Sequence, residues 1–305
     1  MKQTLLKYIS FCILILPFSL YAEVTADTHE KKESIAIIYK KGLASIDNKD
    51  VRLAVDLLLK EVTAKSKYTI KTEFSNDLKK TIDDFQHSKI DILSLGFIYY
   101  LQHYDEINDF IEDRWVLLAK KNDKFRRFLL ITNKKSNINS LKDLRDKSVG
   151  LVKFDSIQDL YLDTTLLQEQ KEDAASFLKT KKYYLKPSRA LIKLFFNQID
   201  ACIVTEYAYN TATEINPQLK KQLKIIQRSE DIFPPIVLIL THKNSSYFSK
   251  LYEKFVFTSQ MNPKTKQILN MYQTVQSVGL SDEDIQPIYR YYQTYKQLKN
   301  EYKQR

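Results

Sequence analysis

Glycine is almost missing from this chain: there are four in 305 residues. Phosphate-cradling loops of the Walker or dinucleotide kind need several glycines within a few positions, so those chemistries are excluded. Histidine is equally scarce. His29, His87, His103 and His242 show no metal-ligand spacing, and no nucleophile elbow is present. No catalytic residue, no metal and no cofactor is therefore expected, and the chain does not read as an enzyme. The longest apolar run, Ile9 to Phe18, falls short of the ~20 residues a membrane span requires. A compact Lys/Arg block is also lacking, which argues against nucleic acid as a partner despite a net charge of +11.

What is present begins with a leader. Lys2 and Lys7 precede the apolar run, and Ser19-Leu-Tyr-Ala22 offers a cut after Ala22. Residues 1–22 thus read as a cleaved signal peptide that delivers the mature protein to the periplasm. An uncleaved anchor and a lipid-modified Cys12 are the weaker alternatives. Removing Lys2 and Lys7 from the +11 balance leaves +9, with the lysines thinly spread. Of the two cysteines, Cys12 leaves with the leader, so the mature chain cannot form an internal disulfide. Cys202, in the apolar run Ala201 to Val204, reads as a buried, inert thiol.

Hydrophobic patterning places two domains in the remainder. Ser34 to Tyr39 is an apolar, β-branched run typical of a buried strand. A helix is expected after Asp50, its inner face made by Val51, Ala54, Val55, Leu58 and Val62 and widened by Leu53, Leu57 and Leu59. Strands follow at Tyr68 to Phe74 and Ile90 to Ser94, separated by a helix from Ser75 to His87, and Phe97 to His103 turns helical. Trp115 to Ala119 and Phe128 to Thr132 read as two further strands around the charged turn Lys120 to Arg127. A second alternating series runs from Ser148 to Gln227, with helices starting at Ser156, Pro187 and Glu206. Ile236 to Thr241 is suited to crossing back. The last third reads as helical, with Pro263 in a first turn. Ile285, Ile288, Tyr292, Tyr295, Leu298 and Tyr302 form a stripe expected to pack on the first lobe. Alternation of this kind predicts α/β architecture: two lobes, each a mostly parallel sheet flanked by helices, with the C-terminal helices on lobe one. Lobe one is expected at 23–133 plus 235–305 and lobe two at 134–234.

Four stretches in this order resemble the phosphonate/phosphate ABC-transporter substrate-binding proteins, which have the type II periplasmic-binding fold. They are Asp91 to Tyr100, Ser140 to Gly150, Ala190 to Ala201 and Ser229 to Leu240. The resemblance covers most of the mature chain. It implies a monomer whose lobes close on a small polar or anionic ligand and then meet a membrane permease. A ligand sensor or scaffold acting on a membrane kinase or cyclase is the alternative. The chain departs from the family at one functional place. Where a Ser/Thr-rich turn ending in glycine would hold the phosphonate, it reads Phe154-Asp-Ser-Ile-Gln158, and Asp155 there would repel an anion. The glycine expected before Asp200 is also replaced, by Gln198-Ile199.

In open α/β sheets ligands sit beyond the carboxyl ends of the strands, which selects the candidates. Tyr39 ends the first strand, and Ser94, Gly96 and Tyr99 end the third. Ser156 and Ser188 stand at helix starts, where N-capping explains them equally well. Arg189 suits a carboxylate or phosphate. Thr205 and Glu206 follow the Asp200 to Val204 strand, where Glu206 could take a ligand amine or simply favour a helix start.

Overall fold

The computed structural model describes residues 32–41, 68–121, 123–250 and 275–305, with isolated positions 53, 56, 57, 60 and 63. Two sheets form. The first contains β1 (Lys32–Tyr39), β2 (Tyr68–Ser75), β3 (Ile92–Gly96), β4 (Ile111–Leu118), β10 (Val237–His242) and β11 (Gln276–Leu280), in the order β11-β4-β10-β3-β1-β2. The second contains β5 (Phe128–Asn133), β6 (Ser148–Val152), β7 (Thr180–Tyr184), β8 (Ala201–Thr205) and β9 (Leu223–Arg228), in the order β7-β6-β8-β5-β9.

Each sheet is parallel on one side and antiparallel on the other. β1 runs parallel to β2 and β3, and β6 runs parallel to β7 and β8. The strands that cross between lobes pair antiparallel: β10 with β3 and β4, and β5 with β8 and β9. The sheets are therefore mixed rather than mostly parallel, because every crossing strand enters its new sheet from the opposite end. β5 also corrects the expected boundary at 133. It pairs with β8 and β9, so the chain has already changed lobes before Phe128.

The core follows the pleat. Along β5, Phe128 and Leu130 join one buried cluster and Leu129 and Ile131 another, so both faces of this strand are covered. The first cluster is shared between lobes, running from Leu93, Phe97 and Val116 through Phe233 and Ile285 to Leu151 and Tyr161. Cys202 is fully buried, and burial pushes its thiol far up, as expected of an inert core residue.

Where lobe two joins its strands, Ser148 and Asp200 tie β6 to the turn before β8. The Asp200 carboxylate accepts from the Ser148 hydroxyl at 2.6 Å and its amide at 2.8 Å. Burial alone would raise this carboxyl, but the Ser148 donors, with Lys147 and Lys179, hold it below the usual aspartate range. Its contribution to stability is thus complete above an ordinary aspartate pKa of about 3.9 and is lost as pH falls through the lowered folded value. Thermal melts taken from neutral pH downward should show Asp200→Asn with a shallower acid-side loss than the parent chain.

Three further expectations are revised. The last third is not wholly helical: Gln276–Leu280 forms the edge strand β11 on β4, hidden from the pattern by its brevity and Gly279. The helix expected after Asp50 and the one around Pro263 lie largely outside the described residues. Within the former, Leu53 and Leu57 are helical but exposed, so they do not widen its inner face.

The third revision concerns the C-terminal helix, Asp282–Lys303. A 22-residue helix spans about 33 Å, longer than one lobe needs, and it lies across both. On lobe one, Asp282 pairs with Arg114 at 3.1 Å, Asp284 with Lys124 at 2.9 Å, and Tyr289 stacks on Tyr104 at 4.0 Å. On lobe two, the Tyr302 hydroxyl donates to Ser176 Oγ at 2.7 Å. Lys299 Nζ lies 2.8 Å from both Asp163 and Asp173. Burial works against the Lys299 ammonium, yet the two carboxylates overcome it and push its pKa up. Lys299→Met leaves those partly buried carboxylates facing each other. It should cost about 1–3 kcal/mol in urea unfolding, and adding Asp163→Asn should recover part of that.

Candidate functional site

Among the described residues two extended segments connect the lobes, running antiparallel and bridged at Arg126 and Phe233. The Arg126 amide donates to Phe233 O at 2.6 Å and its Nε to Pro234 O at 2.8 Å. Arg126 then reaches into lobe two. Its Nη1 and Nη2 meet the Asp155 carboxylate at 2.6 and 3.2 Å, a two-pronged ion pair. Asp155 is 2% exposed, and Gln158 completes the knot. Gln158 Nε2 donates to Asp155 at 3.2 Å while its Oε1 accepts from the Val152 amide at 2.9 Å. The turn after β6 is thereby pinned to the crossing.

This arrangement changes the meaning of Asp155. Read alone, it opposes an anion; in the fold, Arg126 neutralises it. Its side chain is also unavailable to cap the helix that begins at Ser156, Ser156–Gln170, where no side-chain cap is formed. The Gln158 amide turns back to Asp155 O at 2.9 Å, while the Ser156 and Ile157 amides lack partners within the helix and keep donor capacity for something else.

Opposite that helix start stands the carboxyl end of β3. A crevice between them is lined by Gly96, Phe97, Ile98 and Tyr99 from lobe one and by Phe154, Ser156 and Ile157 from lobe two, with Ile236 from the returning crossing. It encloses about 190 Å³ out to the solvent, but only about one water fits inside. Gly96 matters for close approach: a Cβ there would come 3.3 Å from the Tyr99 ring. Tyr39 meets Tyr99 edge to face at 5.1 Å, so the two tyrosines form one aromatic wall. Burial raises both phenols, with a further push from Asp77 on Tyr39 and from Tyr39 on Tyr99. Both therefore stay protonated at neutral pH and can donate to an anionic oxygen.

Of the sequence-derived candidates, Tyr99, Gly96 and Ser156 meet in this crevice, and Tyr39 backs it. The others do not line it. Ser94 is half-buried in β3, paired in register with Ile38 and Ile239. Thr205 caps the Glu206–Ile215 helix, its hydroxyl accepting from Ala208 N at 3.2 Å. Glu206 is taken up by Arg228 at 2.6 Å and Arg127 at 3.3 Å, which removes it as a receptor for a ligand amine. Ser188 and Arg189 are exposed in the first turn of the Pro187–Phe195 helix, outside the crevice lining.

Sequence reasoning missed Arg126, and it marked the turn at Phe154 without reaching that residue's backbone or its place in the crevice. Arg126 sat in a charged turn with its partner 29 positions away. Phe154 adopts φ 69°, the left-handed region that glycine favours. No local pattern marks a left-handed residue here, because an aromatic rather than glycine or asparagine occupies the position. Lys153 Nζ rests 4.9 Å from the Phe154 ring centre.

Two α/β lobes joined by paired crossings, with the carboxyl ends of strands facing each other across a crevice, define a two-lobed ligand-binding protein of the type II periplasmic-binding fold. The family model described as "ABC transporter, phosphonate, periplasmic substrate-binding protein" matches residues 43–285, and the chain belongs to that family. No curated protein matches it. Among solved structures it is similar to a binding-protein component of an ABC phosphonate transporter from Pseudomonas aeruginosa, with 18% identity, 89% of each chain covered and a TM-score of 0.59. A Xanthomonas citri protein bound to ATP shares 12% identity, over 88% of this chain and 98% of that one, with a TM-score of 0.57. A methylphosphonate complex from Prochlorococcus marinus shares 15% identity, over 86% and 97%, with a TM-score of 0.54. At these identities the likeness is one of fold. The family is a transport family of periplasmic substrate-binding proteins, not a family of enzymes.

Proposed function

We propose that this chain is exported by a signal peptide cut after Ala22 and acts as a monomer, binding a small phosphonate-like anion between its lobes for delivery to a membrane permease. The observation that carries this reading is the juxtaposition of Tyr99 with the uncapped helix start at Ser156 across the crevice. In such a site the Ser156 hydroxyl and first-turn amides would receive the anion's oxygens. The Tyr99 phenol would donate from the facing lobe, and Phe97, Ile98 and Ile236 would meet an apolar substituent. Arg126 keeps Asp155 from repelling the charge. Because the crevice leaves room for about one water, a phosphonate-sized group enters only when Phe154 swings aside or the lobes part. Ligand binding then shifts the protein toward the closed arrangement.

A thermal-shift series with methylphosphonate, phosphate, phosphite, sulfate and ATP tests the reading. A true ligand at about 100 times its dissociation constant stabilises by about 2.7 kcal/mol, a plain rise in melting temperature. If no anion of the series moves the transition, the reading fails.

A further inference from the structure

Lobe two carries a surface that the crevice does not use. Residues 174–199 contain six lysines and arginines and no aspartate or glutamate. The Pro187–Phe195 helix at its centre buries Ala190, Leu191 and Leu194 and turns its other face to solvent. On that outer face Arg189, Ile192, Lys193 and Phe196 follow one another at helical spacing. Ile192 is 47% exposed, Phe196 64%, and Leu185, just before the helix, 65%. Single exposed apolar residues need no explanation, but three in one segment free of acid do.

The nearby charges leave the cations uncompensated. Asp159 takes Lys181 at 2.5 Å; on the adjoining helix Glu206 is spent on Arg127 and Arg228, and the exposed Glu214 near its far end pairs with none of the cations of this face among the described residues. Lys186, Arg189 and Lys193 have no ion pair among the described residues. We propose that this face docks onto anionic lipid headgroups, with Leu185, Ile192 and Phe196 dipping into the headgroup–acyl boundary and the cations meeting phosphates. The interleaving decides for lipid over a protein partner. Charges and apolar tips alternate along one helix line, so they engage at one depth. A protein interface would instead gather its apolar residues into a desolvated centre depleted of charge. The inference does not rest on the crevice binding a phosphonate.

The test is flotation with vesicles, using processed protein recovered from the soluble periplasmic fraction. Vesicles of phosphatidylglycerol with phosphatidylcholine should carry the protein at low salt and release it at high salt; pure phosphatidylcholine should not carry it. Lys193→Glu should weaken binding about fivefold or more, as should Phe196→Asn. Both variants keep the buried face of the helix, and an unchanged melting curve confirms that they fold. Absence of flotation on the anionic vesicles overturns the proposal. So does flotation that both variants retain, or concentration-dependent self-association that Phe196→Asn abolishes, which would assign the face to a second copy. Anion affinity of the same variants should equal the parent's, so failure here and failure of the crevice reading are separable.

Discussion

Arg126→Ala should unfold at markedly lower urea than the parent chain, losing about 3–5 kcal/mol. The magnitude follows from what is left behind. Asp155 is 2% exposed, and once Arg126 is gone its carboxylate keeps, among the described residues, only the Gln158 side-chain amide as donor. A buried charge without its partner is far costlier than the pair is valuable. Arg126 also holds Pro234 O, and its guanidinium lies 5.2 Å from the Phe128 ring centre, so the variant loosens both crossings. The double variant Arg126→Met with Asp155→Leu removes both charges together and should recover most of the loss. A cost below about 1 kcal/mol for Arg126→Ala would mean that the pair is solvated and that the crossings are held by other contacts.

Tyr99→Ala should weaken the stabilising anion by tenfold or more while leaving the unliganded protein folded. Tyr99 is only partly buried, so truncating it removes little from the core. It nonetheless supplies lobe one's donor to the crevice and the partner ring of Tyr39. A hydrogen bond to a charged group is worth about 1.5–3 kcal/mol, which is roughly ten- to a hundredfold in affinity. Tyr99→Phe separates the contributions: it keeps the aromatic wall and loses only the donor, so it should fall near the alanine variant if the hydroxyl carries the effect. Calorimetric titration reads both. Equal affinity in all three proteins would place the pocket elsewhere.

Much of this was legible in the sequence because it rests on local chemistry. The strand at Ser34 to Tyr39 and the glycine closing β3 announced themselves by pattern. The rule that ligands sit beyond strand ends then led to Tyr99 and Ser156. What was not legible depends on partners distant in the chain. Asp155 read as repulsive because Arg126 lies 29 residues earlier. Glu206 read as available because Arg228 lies 22 residues later. The C-terminal stripe was assigned to one lobe because periodicity gives the face of a helix but not what lies along its length. Phe154 shows the limit from the other side: its position was singled out, while its left-handed backbone is visible only in the fold.

These particulars bear on the ligand. Phe154 lines the entrance to the helix start and narrows it, and a neutralised Asp155 adds no net charge of its own. As the proposed site, the crevice would favour a small anion held by amides, a serine hydroxyl and phenols over one held by lysine or arginine. Phe97, Ile98 and Ile236 form its apolar side.

The most direct test is a crystal structure with whichever anion gives the largest thermal shift. Density for the anion should lie between the Tyr99 hydroxyl and the first turn at Ser156, with Phe154 displaced and the Arg126–Asp155 pair intact. An anion seated elsewhere on a protein that it stabilises, with Phe154 still filling the crevice, would contradict the proposed site.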